Sequence, residues 1–393
     1  MLNKKTNQRE LAYIVKVTET KDLEGYDKVY YVRILGWWCV APRDIKKDDL
    51  VIYFEIDSLL PEEDTRFAFM ASKKFRIRTQ KMCKVLSQGL VLPLRDFPEC
   101  SKLKEGDFVT DLLKVKLYES DPEPKPVKDK VSAFTKAQNR HKKFFSFPPV
   151  KFLMRFSWFR SLMKRVFVPK KDTYKWPTWL PRTNQERIQN VPQVLQDKSS
   201  KWILTEKVDG QSTSAWLDEN GVFGVGSHNV VVFSDRNPDS KTKGESSTST
   251  PSNVWCEEAE HYHLFTQLKK IKEEYGLKAV AIQGETYGDG IQKRTYGLKG
   301  RKHDFVVFHI LFNGERISMQ HLVDLCERYH LPHVHVYDWG YTLPDTVESL
   351  IEEVNKRKSA IDDGMIEGFV LYSQDGLTSY KCVSPDFLLK YHG

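Results

Sequence analysis

The sequence predicts an α+β protein, with a small β-barrel of OB-like type at the N-terminus and a larger mixed domain behind it. Three observations predict this. Residues 10–118 break into short β-branched and aromatic runs of strand length, separated by turn residues. From about residue 175, such runs alternate with stretches at helical spacing. Between the two lies a segment whose composition fits neither. A chain of 393 residues has room for two or three domains. The boundaries read as 1–118, 119–174 and 175–393.

In the first domain, ELAYIVKVTET, KVYYVRIL, DLVIYFEI and QGLVLPL are the strands, and KEGDFV reads as a turn at Gly106 into another. Several short strands with few helices suit an OB-fold or another small barrel. Of the adjacent Trp37 and Trp38, one belongs in the core and the other is a candidate for stacking on bases, because neighbouring strand residues face opposite sides.

Residues 119–135, ESDPEPKPVKDKVSAFT, are proline-rich and charged and read as a linker. From Lys130 to Lys171 there is no acidic residue but there are 12 lysines and arginines, more than the whole net charge of +8. Aromatic residues interleave with them, and Phe152, Phe156, Phe159 and Met163 recur at helical spacing. Three readings fit this segment: a surface for single-stranded nucleic acid, a helix on an anionic membrane, and a helix docked by its aromatic face between domains.

In the third region, KWILTEKV, STSAWL, VFGVGS, KAVAIQGET, DFVVFHILF and GFVLYS are strand-like. Helices are expected near EEAEHYHLFTQLKKIKEEYG, ISMQHLVDLCERYH and VESLIEEVNKRK, and residues 234–253 read as an exposed polar loop. No run of about 18 apolar residues is present, so no spanning helix is expected. The N-terminus lacks an apolar signal region. None of the six cysteines forms a CxxC pair, which argues against a zinc site or a disulfide framework. A reducing compartment, cytoplasmic or nuclear, is expected, with no stable membrane association. The histidines at 261, 263, 330, 333 and 335 fall on different elements and read as surface or core residues.

The chemistry starts at TEKVDGQS, residues 205–212. KxDG alone is ordinary, since Asp-Gly is a turn dipeptide. Four further signals follow in order: GVGSHN (224–229), IQGETYGDG (282–290), DFVVFHI (304–310), then EGFVLYS with SYKCVSP (367–373 and 379–385). Together they resemble the motifs of the covalent nucleotidyltransferase superfamily, the ATP-dependent ligases and capping enzymes. Lys207 matches motif I, SHN motif Ia, GE motif III, the Phe-rich strand motif IIIa, EGFV motif IV and YK motif V. DNA ligases and capping guanylyltransferases usually carry KxDGxR, whereas Ser212 stands here, so the resemblance is closer to RNA ligases. PRTNQERIQN (181–190), together with LGWWCVAPRDIKKDDLVIYFEIDSLLP and KFRIRTQKMCKVLSQGLVLPL, is similar to the Deinococcus and Naegleria type of RNA ligase.

That resemblance implies an OB-fold domain before an ATP-grasp-like nucleotidyltransferase domain. It implies an ATP-dependent RNA ligase that repairs RNA or seals nicks, acting as a monomer on nicked duplexes or broken ends, with Mg2+ or Mn2+. Lys207 is then the nucleophile that becomes lysyl-AMP, and its amine must lose its proton to attack. Glu206 helps position adenine, and Asp209, with Gly210 and Ser212, orders the loop around the lysine. Glu285 holds the ribose and Phe308 stacks on adenine, with Phe305 as the substitute. Glu367 orients the metal ion, and Lys381 contacts the α-phosphate. Arg182, Glu186 and Gln189 are candidates for ATP contact or for a helix surface. Three positions depart from the pattern. His228 stands for an arginine in motif Ia, His309 for the aspartate after Phe308, and motif V lacks its second lysine, for which Lys390 is a candidate replacement. A DNA ligase, a GTP-using capping enzyme and a catalytically decayed binding protein are the alternatives.

Overall fold

The computed structural model describes residues 1–3, 8–118, 140–167, 175–228, 230–235, 253–298 and 300–392. The expected linker at 119–135 and all but the ends of the polar loop at 234–253 lie outside them. Residues 1–118 and 176–393 form one compact unit, and residues 119–175 another.

The N-terminal sheet has five antiparallel strands, in the order Trp37–Pro42, Val29–Ile34, Ala12–Asp22, Leu50–Phe54, Leu90–Pro93. The strand Ala12–Asp22 does the bending. Its first half pairs with Leu50–Phe54 and its second half with Val29–Ile34, and a bulge between Val17 and Glu19 separates the two. A bulge adds twist and turns the strand, which curls the sheet into a half-barrel. Both of its faces are covered. Ala12, Ile14, Ile52 and Phe54 pack under the 3-10 helix Thr65–Lys73 through Phe67 and Met70. Tyr13, Val15, Val51 and Tyr53 pack on the other side with Trp37. Burial on both faces explains why these strands read as continuous apolar runs rather than an alternation. Gly106 turns at φ +92° as expected, but Phe108 makes only a single bridge to Tyr13, and the next strand is the two-residue Lys116–Leu117, paired with Ser58–Leu59.

The C-terminal part is built on two sheets. The six-stranded one runs Val231–Ser234, Phe223–Gly226, Gln211–Leu217, Val280–Gly288, His303–Phe312, Glu315–Arg316. The five-stranded one runs Glu186–Arg187, Ser379–Val383, Gly368–Ser373, Trp202–Lys207, Val336–Tyr341. Helices Val254–His261, Leu264–Glu274 and Met319–Tyr329 cover the Ala215, Ile282, Phe305 and Val307 face of the first sheet. Helix Val347–Lys356 covers the Leu204, Phe369 and Leu371 face of the second. The single helix expected around 257–276 is two, because His263 adopts a left-handed conformation at φ +50°. Ser318 and Thr346 cap their helices by accepting from the amides of His321 and Ser349.

Residues 140–167 form three short helices, Lys142–Ser146, Pro148–Leu153 and Ser157–Phe167. The helical spacing of Phe152, Phe156 and Phe159 is therefore interrupted after Leu153. No helix among the described residues is long and apolar enough to cross a membrane.

Candidate active site

Lys207 is the last residue of its strand, paired with Gly368. Trp202 and Leu204 belong to the core under helix Val347–Lys356, as do Cys382 and, at its margin, Tyr380. Strand alternation therefore sends Lys207 and Lys381 out of the opposite face. There the Lys207 amine lies 2.6 Å from Glu367 Oε2. Burial alone would push this ammonium down, but Glu367 and Glu285 outweigh it and hold the pKa above the ordinary lysine value. The lysine expected to lose its proton readily is instead held as a cation in this arrangement. Lys381 is the reverse. Burial, then Arg187, Arg9 and Lys207, push its ammonium well below the usual range. Among the described residues it has no hydrogen bond or ion pair.

The loop after Lys207 is packed to the limit. A Cβ on Gly210 would collide with the Thr286 carbonyl oxygen and lie 3.0 Å from Glu285 Cγ, so only glycine lets the loop approach that strand. Asp209 is buried. Its amide donates to the Tyr296 hydroxyl at 2.6 Å, and its Oδ1 lies 3.1 Å from His392 Nε2. Its Oδ2 is buried without a partner among the described residues. The same hydrogen bond and charge raise the pKa of His392. Neither Tyr296 nor His392 was singled out by sequence. Lys390 does not fill the gap in motif V: it is exposed, with its ammonium 5.0 Å over the Tyr391 ring.

Ser212 sits directly across from Glu285 on the neighbouring strand, on the face away from the helices. Phe308 reaches that face through a bulge. The pairing jumps from Gln283–His309 to Gly284–Val307, which leaves Phe308 as the extra residue. It is half-buried beside Val208, Tyr287 and Val306. Phe305 is fully buried in the helix-covered core, so it cannot substitute for Phe308.

His228 and Arg182 meet on the upstream segment. The His228 Nδ1 and the Ser212 hydroxyl each lie 3.0 Å from the Thr183 hydroxyl. Arg182 donates to the His228 carbonyl at 3.0 Å and lies over the Trp176 ring at 3.9 Å. Burial, with Lys381 and Arg182 nearby, lowers the His228 pKa to about 4, so the ring is neutral at pH 7. It cannot supply the charge of the arginine it replaces. Asn229 lies outside the described residues. His309 is neutral as well, because burial holds it well below its usual value.

Three expected ATP contacts are not placed at this face. The Glu206 carboxylate lies on the other side of its strand. It accepts from Ser359 Oγ at 2.6 Å, the Ala360 amide at 2.9 Å and the Tyr337 hydroxyl at 3.1 Å. It anchors the 358–361 loop. Glu186 and Gln189 belong to the junction with the N-terminal sheet, and the segment carrying them is extended and then 3-10 rather than helical. The Gly36 amide donates to the Gln189 carbonyl at 2.8 Å. Asn190, buried beside them, accepts from Trp37 Nε1 at 2.6 Å and donates to Glu55 and to Glu186, each at 2.7 Å. Arg9 donates twice to Glu55 Oε2, at 3.0 and 2.9 Å. Arg187 and Arg76 each lie 3.3 Å from Asp57. Trp38 stacks on Tyr31 and donates to Glu348 at 2.9 Å, which ties it to helix Val347–Lys356. Its indole is a bridge between the two parts of this unit.

This geometry is a strand-end lysine, two carboxylates and a second lysine on one face between two sheets. Residues 200–392 match the family model described as RNA ligase, and residues 11–94 match one described as OB-fold domain. Over that stretch the chain is similar in sequence to the RNA ligase family. No curated protein matches the sequence. Among solved structures, the fold is similar to Naegleria gruberi RNA ligase. The apo form of a variant of that enzyme superimposes with TM-score 0.73 at 24% identity, covering 97% of each chain. The same enzyme with PPi gives TM-score 0.73 at 24% identity, over 97% of this chain and 98% of that one. A variant with ATP and Mn gives 0.73 at 23%, over 98% and 99%. At this identity the likeness is one of fold.

Proposed function

We propose that the protein is an ATP-dependent RNA ligase that joins a 3′-hydroxyl end to a 5′-phosphate end through lysyl-AMP. The observation that carries this is the common face of Lys207, Glu367 and Lys381 inside an RNA ligase domain. ATP is the nucleotide because the Naegleria enzyme is described with ATP and Mn.

Lys207 Nζ, once deprotonated, attacks the α-phosphorus of ATP. A nitrogen–phosphorus bond forms, the bond to the bridging oxygen breaks, and pyrophosphate leaves. The AMP then passes to the 5′-phosphate of an RNA end. Attack by a 3′-hydroxyl forms the phosphodiester and releases AMP. Negative charge accumulates at phosphorus in each step, and the half-buried Lys381 has no other side-chain partner among the described residues. An anion placed there raises the proton affinity of Lys381 and draws the positive charge toward it. Glu285 suits the ribose hydroxyls and Phe308 the adenine face.

Among the described residues no cluster of three or more metal-ligating side chains exists. A hard divalent ion that keeps most of its waters and takes one or two carboxylates fits this donor set. Glu367 and the unpartnered Asp209 Oδ2 are the residues that would hold it. When bound, Mg2+ or Mn2+ supplies charge neutralisation at the phosphates.

The test is incubation with α-labelled ATP and Mg2+ or Mn2+, followed by denaturing electrophoresis, beside Lys207→Ala and a GTP lane. A label with ATP that survives denaturation and is absent from the variant supports the reading. A label with GTP instead points to a capping enzyme. No label with either, from folded protein, overturns it. A 5′-labelled nicked RNA duplex then tests the joining step.

A further inference from the structure

The helical unit at 140–167 takes no part in the active site described above, yet its surface is unusual. Phe144, Phe147, Phe152 and Phe156 are all exposed, between 43% and 58%, and Leu162 and Val166 are exposed beside them. Among the described side chains of this unit, only Val150 and Met163 are buried. Phe144 leans on Phe145 and Phe167, with centroids 5.2 Å away in each case. Phe152 and Phe156 meet edge to face at 5.8 Å and turn their outer faces to solvent. The same surface carries the exposed cations Arg140, Lys142, Lys151, Arg155 and Arg160. Arg155 lies 6.0 Å over the Phe152 ring. The sequence from Lys130 to Lys171 contains no carboxylate to offset them.

Exposed phenyl rings among uncompensated cations match one chemistry particularly well. The rings offer flat faces to unpaired bases, and the cations track the phosphates that join those bases. A paired duplex has no free base faces and would use only the charges. An anionic membrane would also take apolar side chains with cations. On the helix Ser157–Phe167 the exposed Leu162 and Val166 would suit that use. From Phe147 to Phe156, however, across helix Pro148–Leu153 and the turn that follows it, the exposed Lys151 and Arg155 interleave along the chain with the exposed Phe147, Phe152 and Phe156. That interleaving favours a strand of bases and phosphates over a lipid boundary.

We propose that residues 140–167 form a sequence-independent binding platform for single-stranded RNA. The choice of RNA as the polyanion rests on the RNA ligase reading. The platform acts by stacking and charge, so it binds any base composition and leaves adenylylation untouched.

The test compares wild type, F147A/F152A/F156A and K142S/K151S/R155S/R160S. All substituted side chains are exposed, and circular dichroism checks that each variant keeps its fold. Affinity for a 20-nucleotide single-stranded RNA and for a 20-base-pair RNA duplex is read by fluorescence anisotropy across a salt series. Lysyl-AMP formation is read in parallel. The aromatic variant is expected to lose about tenfold to a hundredfold in single-strand affinity and little on the duplex, with an unchanged salt slope. The charge variant is expected to flatten the salt dependence by about 0.7 for each phosphate it no longer neutralises. Both form lysyl-AMP at the wild-type rate. Unchanged single-strand affinity in the aromatic variant overturns the proposal, as does an equal loss on single strand and duplex. Flotation with phosphatidylserine vesicles that the aromatic variant loses, with RNA affinity unchanged, identifies lipid as the occupant and also overturns it. Selective loss of single-strand binding, in a protein whose wild type forms no lysyl-AMP, keeps the platform and removes only the ligase reading.

Discussion

Two buried charged regions lie close together in this protein and treat their charges in opposite ways. At the junction between the N-terminal sheet and the C-terminal part, Glu55 has partners on both oxygens. Oε2 takes Arg9, and Oε1 takes Asn190, the Tyr13 hydroxyl and the Met1 amine. Burial alone would raise its pKa, but the Met1 amine, Arg9 and Arg187 hold it well below the carboxylate range. In the candidate active site, the half-buried Lys381 ammonium has no such partner among the described residues, and Asp209 keeps one buried oxygen unpartnered among them. Unsatisfied buried polar groups cost free energy. The junction spends its polar groups on holding two parts together, whereas the site keeps some open for a ligand.

The largest effect expected from this contrast is on Lys207. Lys207→Ala removes the nucleophile, so the labelled adduct falls more than about a thousandfold, to background. Thermal unfolding moves less than at the junction, because burial already raises the Glu367 pKa and lets that carboxylate take up a proton when Lys207 is gone.

At the junction the effect falls on stability. Glu55→Gln strands Arg9 and the amine in a buried setting and costs about 3–5 kcal/mol in denaturant unfolding. Lysyl-AMP formation by the remaining folded protein is unchanged. The same residue sets a pH dependence. Its folded pKa is depressed, so its contribution is complete above the unfolded value near about 4.3 and is lost as pH falls below it toward the folded pKa. The acid limb of wild-type stability is steeper than that of Glu55→Gln. Equal limbs would show that the junction does not store this energy.

Lys381→Met inverts the sign. Adenylylation slows about a hundredfold to a thousandfold, as for loss of one oxyanion-stabilising group. Stability holds or rises by about 1 kcal/mol, since a half-buried amine with no partner among the described residues, held against ionisation by its surroundings, becomes apolar. A destabilised Lys381→Met would erase the contrast between the two regions. Phe308→Ala is the smallest change, expected to weaken ATP binding by about tenfold while the maximal rate stays within a few-fold. His228 is neutral above its pKa of about 4, so no step in rate tracing to this residue is expected between pH 6 and 8.

The order of the motifs made much of the site legible. Lys207, Asp209, Gly210, Ser212, Glu285, Phe308, Glu367 and Lys381 stood out as candidates because each lies on or beside a strand whose apolar run marks it. Glu206 was misread for the same reason. It is adjacent to the nucleophile in sequence, but a strand sends neighbours to opposite faces, and its carboxylate ends on Ser359 and Ala360. Phe305 and Phe308 could not be separated, because the bulge that shifts the register leaves no mark in composition. The junction was not legible at all. Asn190 and Glu55 are 135 positions apart, and nothing local pairs them.

The sequence by itself determined the strand-rich first domain, the mixed second one, the acid-free segment between them and the order of the motifs on which the candidate site is built. Those follow from periodicity, turn chemistry and charge, which act over a few residues. Only the tertiary structure decided which carboxylates serve the nucleophile and which anchor a loop. It also decided that Lys207 is held charged while Lys381 is driven toward neutrality, and that Glu55 and Asn190 join the two parts. Those outcomes depend on burial and on distances between residues far apart in the chain, and a buried charge takes its energy from the neighbours that folding brings to it.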